Sequence, residues 1–168
     1  MDNNMQRIAD SELKLLQLDI LCKVDTFCRL NDIEYTLYFG TLIGAVRHNG
    51  YIPWDDDIDI AMPRPSYDMF VKSFNGYDNN LYVICPEINL NYYASYANVC
   101  DRRTLLLEGK NGHHGVEVGV KIDVFPLDGT PDDEGEYVEC VNRINHINRI
   151  MKIKRYGFPS NSKRATKA

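Results

Sequence analysis

The sequence lacks any long apolar run. None of its apolar stretches approaches the roughly 20 residues that a helix needs to cross a bilayer. The N-terminus, MDNNMQRIADSELKL, also lacks the basic start and apolar stretch of a secretory signal. Both absences argue against a secreted or membrane-spanning protein, and the expected location is the cytoplasm.

Cysteine is scarce and irregularly placed. The five cysteines form no C-x-x-C pair, which argues against a zinc ribbon or a thioredoxin-like redox site. An odd number at irregular spacing is typical of buried thiols that pack as small apolar side chains.

Acidic residues are absent from the last part of the chain. From Cys140 onward there are eight Lys or Arg and no Asp or Glu, although the whole chain carries a net charge of −5. A solvated helix face is the favoured interpretation of this basic segment, with a contact to anionic lipid or nucleic acid as the alternative. The polar end, residues 155–168, is expected to be flexible. The acidic body argues against nucleic acid as a partner.

What is present indicates one globular domain. The 168 residues are 44% apolar and 26% charged, enough for a real core. Hydrophobic periodicity and turn residues predict four helices and six strands. The predicted helices cover residues 10–31, 41–50, 65–74 and 132–157, and the predicted strands 33–40, 57–62, 81–86, 92–101, 104–108 and 116–126. This order predicts an α+β fold in which helices flank one mixed β-sheet.

One segment concentrates negative charge beside a predicted core strand. In GYIPWDDDIDIAM, residues 50–62, four aspartates occupy five positions. On a strand, Asp57 and Asp59 share one face while Ile58 and Ile60 point to the other, toward the core. Carboxylates on one face repel each other, and a divalent cation with oxygen ligands removes that repulsion.

Three interpretations of the aspartates compete. A calcium loop of the EF-hand type is excluded, because Ile60 and Ser66 stand where that loop needs glycine and glutamate. A solvated acidic turn without chemistry and a catalytic metal site at a strand end stay open.

The surroundings favour the metal site. Gly40 and Thr41 lie at a predicted strand-to-helix junction, where unpaired N–H groups suit a phosphate. Arg47 follows on the same helix and offers a charge-assisted contact to an anion. Asp123 is a lone acid among the alternating apolar residues of VKIDVF, where an unpaired charge is costly to bury. It is therefore the candidate for a third carboxylate from a neighbouring strand.

These residues carry a resemblance to a known family. The blocks YFGTLIGAVRHNGYIPWDDDIDIAM and KIDVFPLDG resemble the LicD family, which includes the fukutin-type enzymes. The resemblance implies a nucleotidyltransferase-like fold over a single domain, residues 1–168, with a C-terminus shorter than is usual in the family.

The resemblance also implies a reaction. LicD-type enzymes transfer a phospho-alcohol such as phosphocholine from a CDP-activated donor to a hydroxyl of a cell-surface glycan or glycolipid. The implied cofactor is Mg²⁺, or alternatively Mn²⁺. The nature of the acceptor leaves open a peripheral contact with the inner face of the membrane. The alternatives are a nucleotidyltransferase that moves a nucleoside monophosphate to a small acceptor, or an inactive, truncated remnant.

The same resemblance assigns the metal ligands. Asp57 and Asp59 are the implied primary ligands, and Asp123 is either a third ligand or the base that takes the acceptor proton. Asp55 is implied as a further ligand, whereas Asp56 is expected to point away.

Substrate binding is assigned to four other residues. Gly40 and Thr41 are expected to contact the donor phosphates, and Arg47 to neutralise the diphosphate. Trp54, the single tryptophan, is expected to stack on the base or on a choline-like cation. A buried Trp54 that locks the loop is the alternative.

Overall fold

The computed structural model describes residues 6–92, 94–106 and 118–156, with side chains as far as Ile150. In these ranges the chain forms helices and strands in mixed order. The helices are α1 (Asp10–Leu30), α2 (Phe39–His48), α3 (Arg64–Ser73) and α4 (Glu134–Tyr156). The strands are β1 (Thr36–Leu37), β2 (Asp59–Pro63), β3 (Leu81–Ile84), β4 (Ala97–Asp101) and β5 (Lys121–Leu127).

The five strands form one mixed sheet in the order β1-β2-β5-β4-β3. β2 and β5 run parallel, and the other three neighbouring pairs run antiparallel. The predicted α+β class with a mixed sheet and flanking helices is therefore confirmed, while the finer nucleotidyltransferase-like fold stays a prediction.

The apolar core lies on one face of this sheet. Alternate residues of β2, β5 and β4, such as Ile60, Ile122 and Val99, are buried there. Helices α1 and α3 cover them, and the two helices meet where the rings of Phe27 and Phe74 lie 5.1 Å apart in an edge-to-face contact. Because strand side chains alternate, the residues between these apolar ones lie on the opposite face.

The first predicted strand is much shorter than expected. Of residues 33–40, only Thr36–Leu37 form a strand, β1. Phe39 has a φ of +40°, in the left-handed region, and α2 begins at this residue, two positions earlier than predicted. At the other end of α2, Asn49 rather than Gly50 takes the left-handed cap position.

Other boundaries also differ from the predictions. Residues 104–106 form no strand, and the rest of the predicted strand 104–108 lies outside the described residues. Among the described residues of the predicted strand 92–101, Ala97–Asp101 form β4. The predicted strand 116–126 overlaps β5, Lys121–Leu127, which runs one residue further, and residues 116–117 lie outside the described ranges. Of the end expected to be flexible, residues 157–168 lie outside the described ranges. No described helix has the length and apolar composition needed to cross a membrane.

Candidate active site

The sheet register places two of the predicted aspartates side by side. Asp59 on β2 is the direct Cα partner of Asp123 on β5, and the Asp123 N–H donates to the Ile58 carbonyl at 2.9 Å. Both residues are 8% exposed. Directly paired residues point to the same face, and both aspartates alternate with core residues, so both side chains emerge on the sheet face opposite the apolar core.

The electrostatics show that Asp57 joins this pair. Burial first, and then the charges of Asp57 and Asp123, raise the pKa of the Asp59 carboxyl to about 7. The pKa of Asp57 is also raised, chiefly by burial and then by the charges of Asp55 and Asp123. Asp57 itself precedes β2 rather than belonging to it, and it keeps an exposed surface. The structure thus brings Asp57, Asp59 and Asp123 into one electrostatically coupled group.

The acidic turn before β2 forms a second, more exposed grouping. Oxygen atoms of Asp55, Asp56 and Asp57 lie within 4.8 Å of one another, a spacing that suits a shared cation. The prediction that Asp56 points away from its neighbours is therefore wrong. Residues 55–57 precede β2 and belong to no strand, so their carboxylates do not alternate between two faces.

Asp123 is held in place by a buried polar chain. The Asn98 side-chain amide donates to Asp123 Oδ1 at 2.6 Å, and Asn98 is itself 1% exposed. The Tyr92 hydroxyl donates to the carbonyl oxygen of the Asn98 amide. Lys121, on the same face of β5, donates to Asp123 Oδ1 at 2.5 Å. These contacts fix the orientation of one carboxylate oxygen and leave Oδ2 without any of these donors.

The acidic turn is anchored to helix α1. Gln17 is 4% exposed, and its Nε2 donates to the Asp56 carbonyl at 2.9 Å. The Tyr51 hydroxyl donates to Gln17 Oε1 at 3.1 Å, which also fixes the start of the turn. Sequence reasoning missed both Gln17 and Asn98. The sequence does contain a sign of each residue's role. Gln17 is a polar residue at a core position of a predicted helix, and Asn98 is the one amide side chain within a buried strand.

The N-terminus of α2 faces the acidic turn. A Cβ at Gly40 would lie 2.4 Å from Asp55 Oδ2, so a larger residue at this position would require the Asp55 carboxylate to move. This position puts the Asp55 charge near the positive end of the α2 dipole, which stabilises it. The Thr41 hydroxyl accepts a hydrogen bond of 2.8 Å from the Asp59 N–H, which ties α2 to the start of β2. Contacts of Gly40 and Thr41 with donor phosphates stay predictions.

Arg47 and Trp54 lie farther from the carboxylates. Arg47 is exposed in the last turn of α2, about 10 Å along the helix axis from Gly40. Trp54 is 82% exposed, and its ring lies 6.5 Å from the His48 ring in an edge-on arrangement. The alternative of a buried Trp54 that locks the loop is therefore wrong. The indole face is open to a ligand, and the ligand roles of Arg47 and Trp54 stay predictions.

The group as a whole fits a divalent cation. Carboxylates are the oxygen ligands that Mg²⁺ and Mn²⁺ prefer. Burial and then the charges of neighbouring carboxylates raise the pKa of Asp59, and a bound cation would relieve that repulsion. Of the groups that act most strongly on the pKa of Asp59, Lys121 carries the one positive charge, and it lowers that pKa. One ammonium against several carboxylates leaves the site negative.

Comparison with known proteins identifies the family. The sequence model described as "LicD/FKTN/FKRP, nucleotidyltransferase domain" matches residues 32–127, which include every predicted site residue. The predicted resemblance is thereby confirmed. No solved structure shows a significant match to the chain.

Three curated relatives are similar in sequence. The lipopolysaccharide cholinephosphotransferase LicD of Haemophilus influenzae is 35% identical over 131 residues, which is 77% of this chain and 48% of the relative. An uncharacterized protein of Rickettsia typhi is 42% identical over 51% of this chain and 31% of its own length. A second one, of Rickettsia prowazekii, is 36% identical over 62% of this chain and 37% of its own length. The chain thus spans at most about half of the curated relatives it matches.

Proposed function

The chain belongs to the LicD family, and we propose that it transfers a phosphocholine-like group from a CDP-activated alcohol to a hydroxyl of a cell-surface glycan. In this reaction the acceptor oxygen bonds to phosphorus, the bond from that phosphorus to CMP breaks, and the acceptor proton passes to a base. The products are the phosphorylated glycan and CMP. The proposed cofactor is Mg²⁺, or alternatively Mn²⁺.

One observation carries this proposal: Asp59 and Asp123 are direct partners across parallel strands, with Asp57 electrostatically coupled to both. Phosphoryl transfer depends mainly on positioning and on neutralising charge, which is the chemistry such a group supports. Asp57, Asp59 and Asp123 would hold the cation, with Asp55 as a further ligand. When bound, a cation of this kind neutralises the diphosphate and holds its oxygens for attack.

The protein's own groups would position the reactants around that cation. Lys121 carries a positive charge beside Asp123 and would also attract a donor phosphate. Asn98 holds Oδ1 of the Asp123 carboxylate and would keep this carboxylate in one orientation. Exposed Trp54 would stack on the base or on the choline-like cation.

Asp123 has two alternative roles in this site. It would either serve as a third metal ligand or, with Asp57 and Asp59 holding the cation, take the proton from the acceptor hydroxyl.

The acceptor and the place of action come from the family. The Haemophilus relative is named for lipopolysaccharide, so a lipopolysaccharide-like glycolipid is the proposed acceptor. A peripheral contact with the inner face of the membrane is proposed for the same reason.

The test is a donor assay with purified protein. Incubation with Mg²⁺, CDP-choline and a glycolipid acceptor should release CMP, and Asp59→Asn and Asp123→Asn should each abolish that release. The matched control, Asp132→Asn, removes an exposed carboxylate outside the site and should leave the rate unchanged. Pyrophosphate release from a nucleoside triphosphate would instead indicate a nucleotidyltransferase. No turnover of either donor, with no metal-dependent rise in melting temperature, would indicate an inactive remnant.

A further inference from the structure

Four aromatic rings gather beside the carboxylates on the acidic face of the sheet. They come from three separate parts of the chain and are called here the aromatic cluster: Tyr38, Phe39, Tyr96 and Phe125. The Phe125 ring is central, with its centroid 4.3 Å from that of Tyr96 and 5.4 Å from that of Phe39. The Tyr38 ring lies 4.0 Å from the Phe39 ring and 5.8 Å from the Phe125 ring.

The aromatic cluster borders the carboxylates on two sides. On β5, Phe125 lies two residues beyond Asp123, so both side chains point to the same face, about 7 Å apart along the strand. Next to β2, the Tyr38 N–H donates to the Asp59 carbonyl at 2.9 Å. A ligand whose phosphate is held at the carboxylates would therefore extend over these rings with its next few atoms.

The backbone of Phe39 is strained, and core packing does not account for the strain. Its φ of +40° lies in a region that bulky residues rarely adopt, because the side chain crowds the backbone there. The residue nevertheless stays 55% exposed, so little burial compensates for the unfavourable conformation. Strain of this kind is typical of residues that clamp a ligand. It points to a ligand that contacts the exposed Phe39 ring.

Charge and ring geometry indicate the chemical class of that ligand. The carboxylates outnumber the single ammonium of Lys121, so the surroundings favour a cation. The planes of Phe39 and Phe125 stand at 89°, which forms a corner rather than the parallel gap that a flat nucleobase would enter. Aromatic side chains attract quaternary ammonium groups, and a tetrahedral group of this kind fits a corner.

We propose that the aromatic cluster binds the trimethylammonium end of the donor alcohol and thereby selects choline over alcohols with a primary ammonium, such as ethanolamine. The choice of ligand rests on the proposed function. With the diphosphate at Asp59 and Asp123, one ethylene unit separates the phosphate ester oxygen from the trimethylammonium group near Phe125. A primary ammonium would lose hydrogen bonds to water against these rings, whereas a trimethylated one has none to lose. Trp54 then stays available for the base.

The first test measures binding of the head group by calorimetry in the presence of Mn²⁺. Phosphocholine is compared with 3,3-dimethylbutyl phosphate, in which carbon replaces the charged nitrogen. The wild type should bind phosphocholine about tenfold or more tightly. Phe39→Leu keeps an apolar side chain but removes the ring, so it should lose most of this preference, whereas Phe39→Tyr should keep it.

The matched control is Leu42→Ala, which changes an exposed residue of the same helix outside the aromatic cluster and should bind both ligands as the wild type does. A preference caused only by the negative carboxylates would survive in Phe39→Leu and would overturn the proposal. Equal binding of the two ligands by the wild type, or no binding of either, would overturn it as well.

The second test measures CMP release from CDP-choline and CDP-ethanolamine. The wild type should prefer CDP-choline about tenfold or more in kcat/KM. Phe39→Leu should lower kcat/KM for CDP-choline about tenfold, mainly through KM, and change that for CDP-ethanolamine little. Equal use of both donors by the wild type would overturn the aromatic site and leave the proposed function intact. Selective binding of phosphocholine without CMP release from any donor would contradict the proposed function and support the aromatic site.

Discussion

The two faces of the central sheet are built from neighbouring residues and have opposite chemistry. On one face, Ile60 of β2 and Ile122 of β5 are covered by α1 and α3. On the other face, Asp59 and Asp123 lie side by side, one residue away from those isoleucines in each strand. The comparison shows how the strand period of two lets one short segment supply both the core and the candidate active site.

The apolar face explains why the acidic face is tolerated. Burial of apolar side chains is the main stabilising term, whereas carboxylates held together at low exposure oppose folding. That opposition is visible in the pKa of Asp59, which burial and neighbouring charges raise to about 7. The charge concentrated beside the core is therefore a cost in stability that a bound cation would offset.

The largest effect is expected from a cavity on the apolar face. Ile60→Ala should lower the free energy of unfolding by about 2–5 kcal/mol, because Ile60 is fully buried and the space it leaves cannot be refilled. Urea unfolding followed by circular dichroism measures this change. A loss below about 1 kcal/mol would show that this face does not dominate stability.

A smaller loss of stability is expected from removing a hydrogen-bonding side chain on the acidic face of the sheet. Asn98→Ala removes the amide between the Tyr92 hydroxyl and Asp123, and should cost about 1–3 kcal/mol. It should also weaken Mn²⁺ binding about tenfold or more, because the ligand Asp123 loses its orientation. Calorimetric titration with Mn²⁺ separates the two effects. An unchanged Mn²⁺ affinity would limit Asn98 to a structural role.

Replacing the Asp59 carboxylate is expected to stabilise the protein, in contrast to the two preceding substitutions. Without metal, Asp59→Asn should raise the free energy of unfolding at pH 8 by up to about 1 kcal/mol, because it removes like-charge repulsion. The pKa of Asp59 is higher in the folded protein than its ordinary value of 3.8, so the folded state binds the proton more tightly. Wild-type stability should therefore fall as pH rises from 3.8 toward about 7.

The pH dependence is measured by urea unfolding in EDTA between these limits. Asp59→Asn should show a flatter profile than the wild type over the same range. Its conservative counterpart on the surface, Asp132→Asn, should follow the wild type. Identical profiles for all three proteins would contradict the coupling of Asp59 to its neighbours.

The smallest effect on stability is expected at Trp54. Because Trp54 is 82% exposed, Trp54→Ala should change the free energy of unfolding by no more than about 0.5 kcal/mol. If the indole stacks on the donor, the same variant should raise the KM for CDP-choline. Quenching of the fluorescence of this single tryptophan by CDP-choline provides a direct readout, and its absence would remove Trp54 from the binding site.

The sequence predicted the alternation of the two faces but not the contacts that hold them. The alternation of Ile58, Ile60 and Ile122 with polar residues predicted the core face of the sheet. The position of Asp123 as the one acid among apolar residues indicated the third carboxylate. Asn98 and Gln17 reach the site from β4 and α1, so only tertiary packing reveals them. The early start of α2 at Phe39 was missed, because a bulky aromatic residue with φ of +40° contradicts its local preference.

The most direct measurement is a crystal structure with Mn²⁺ and CDP-choline, in which the anomalous signal of manganese locates the cation. The account predicts manganese between β2 and β5, coordinated by Asp59 and Asp123 with Asp57 alongside, and the donor diphosphate next to it. Manganese bound only to Asp55 and Asp56 on the exposed turn, with Asp59 and Asp123 uninvolved, would contradict it.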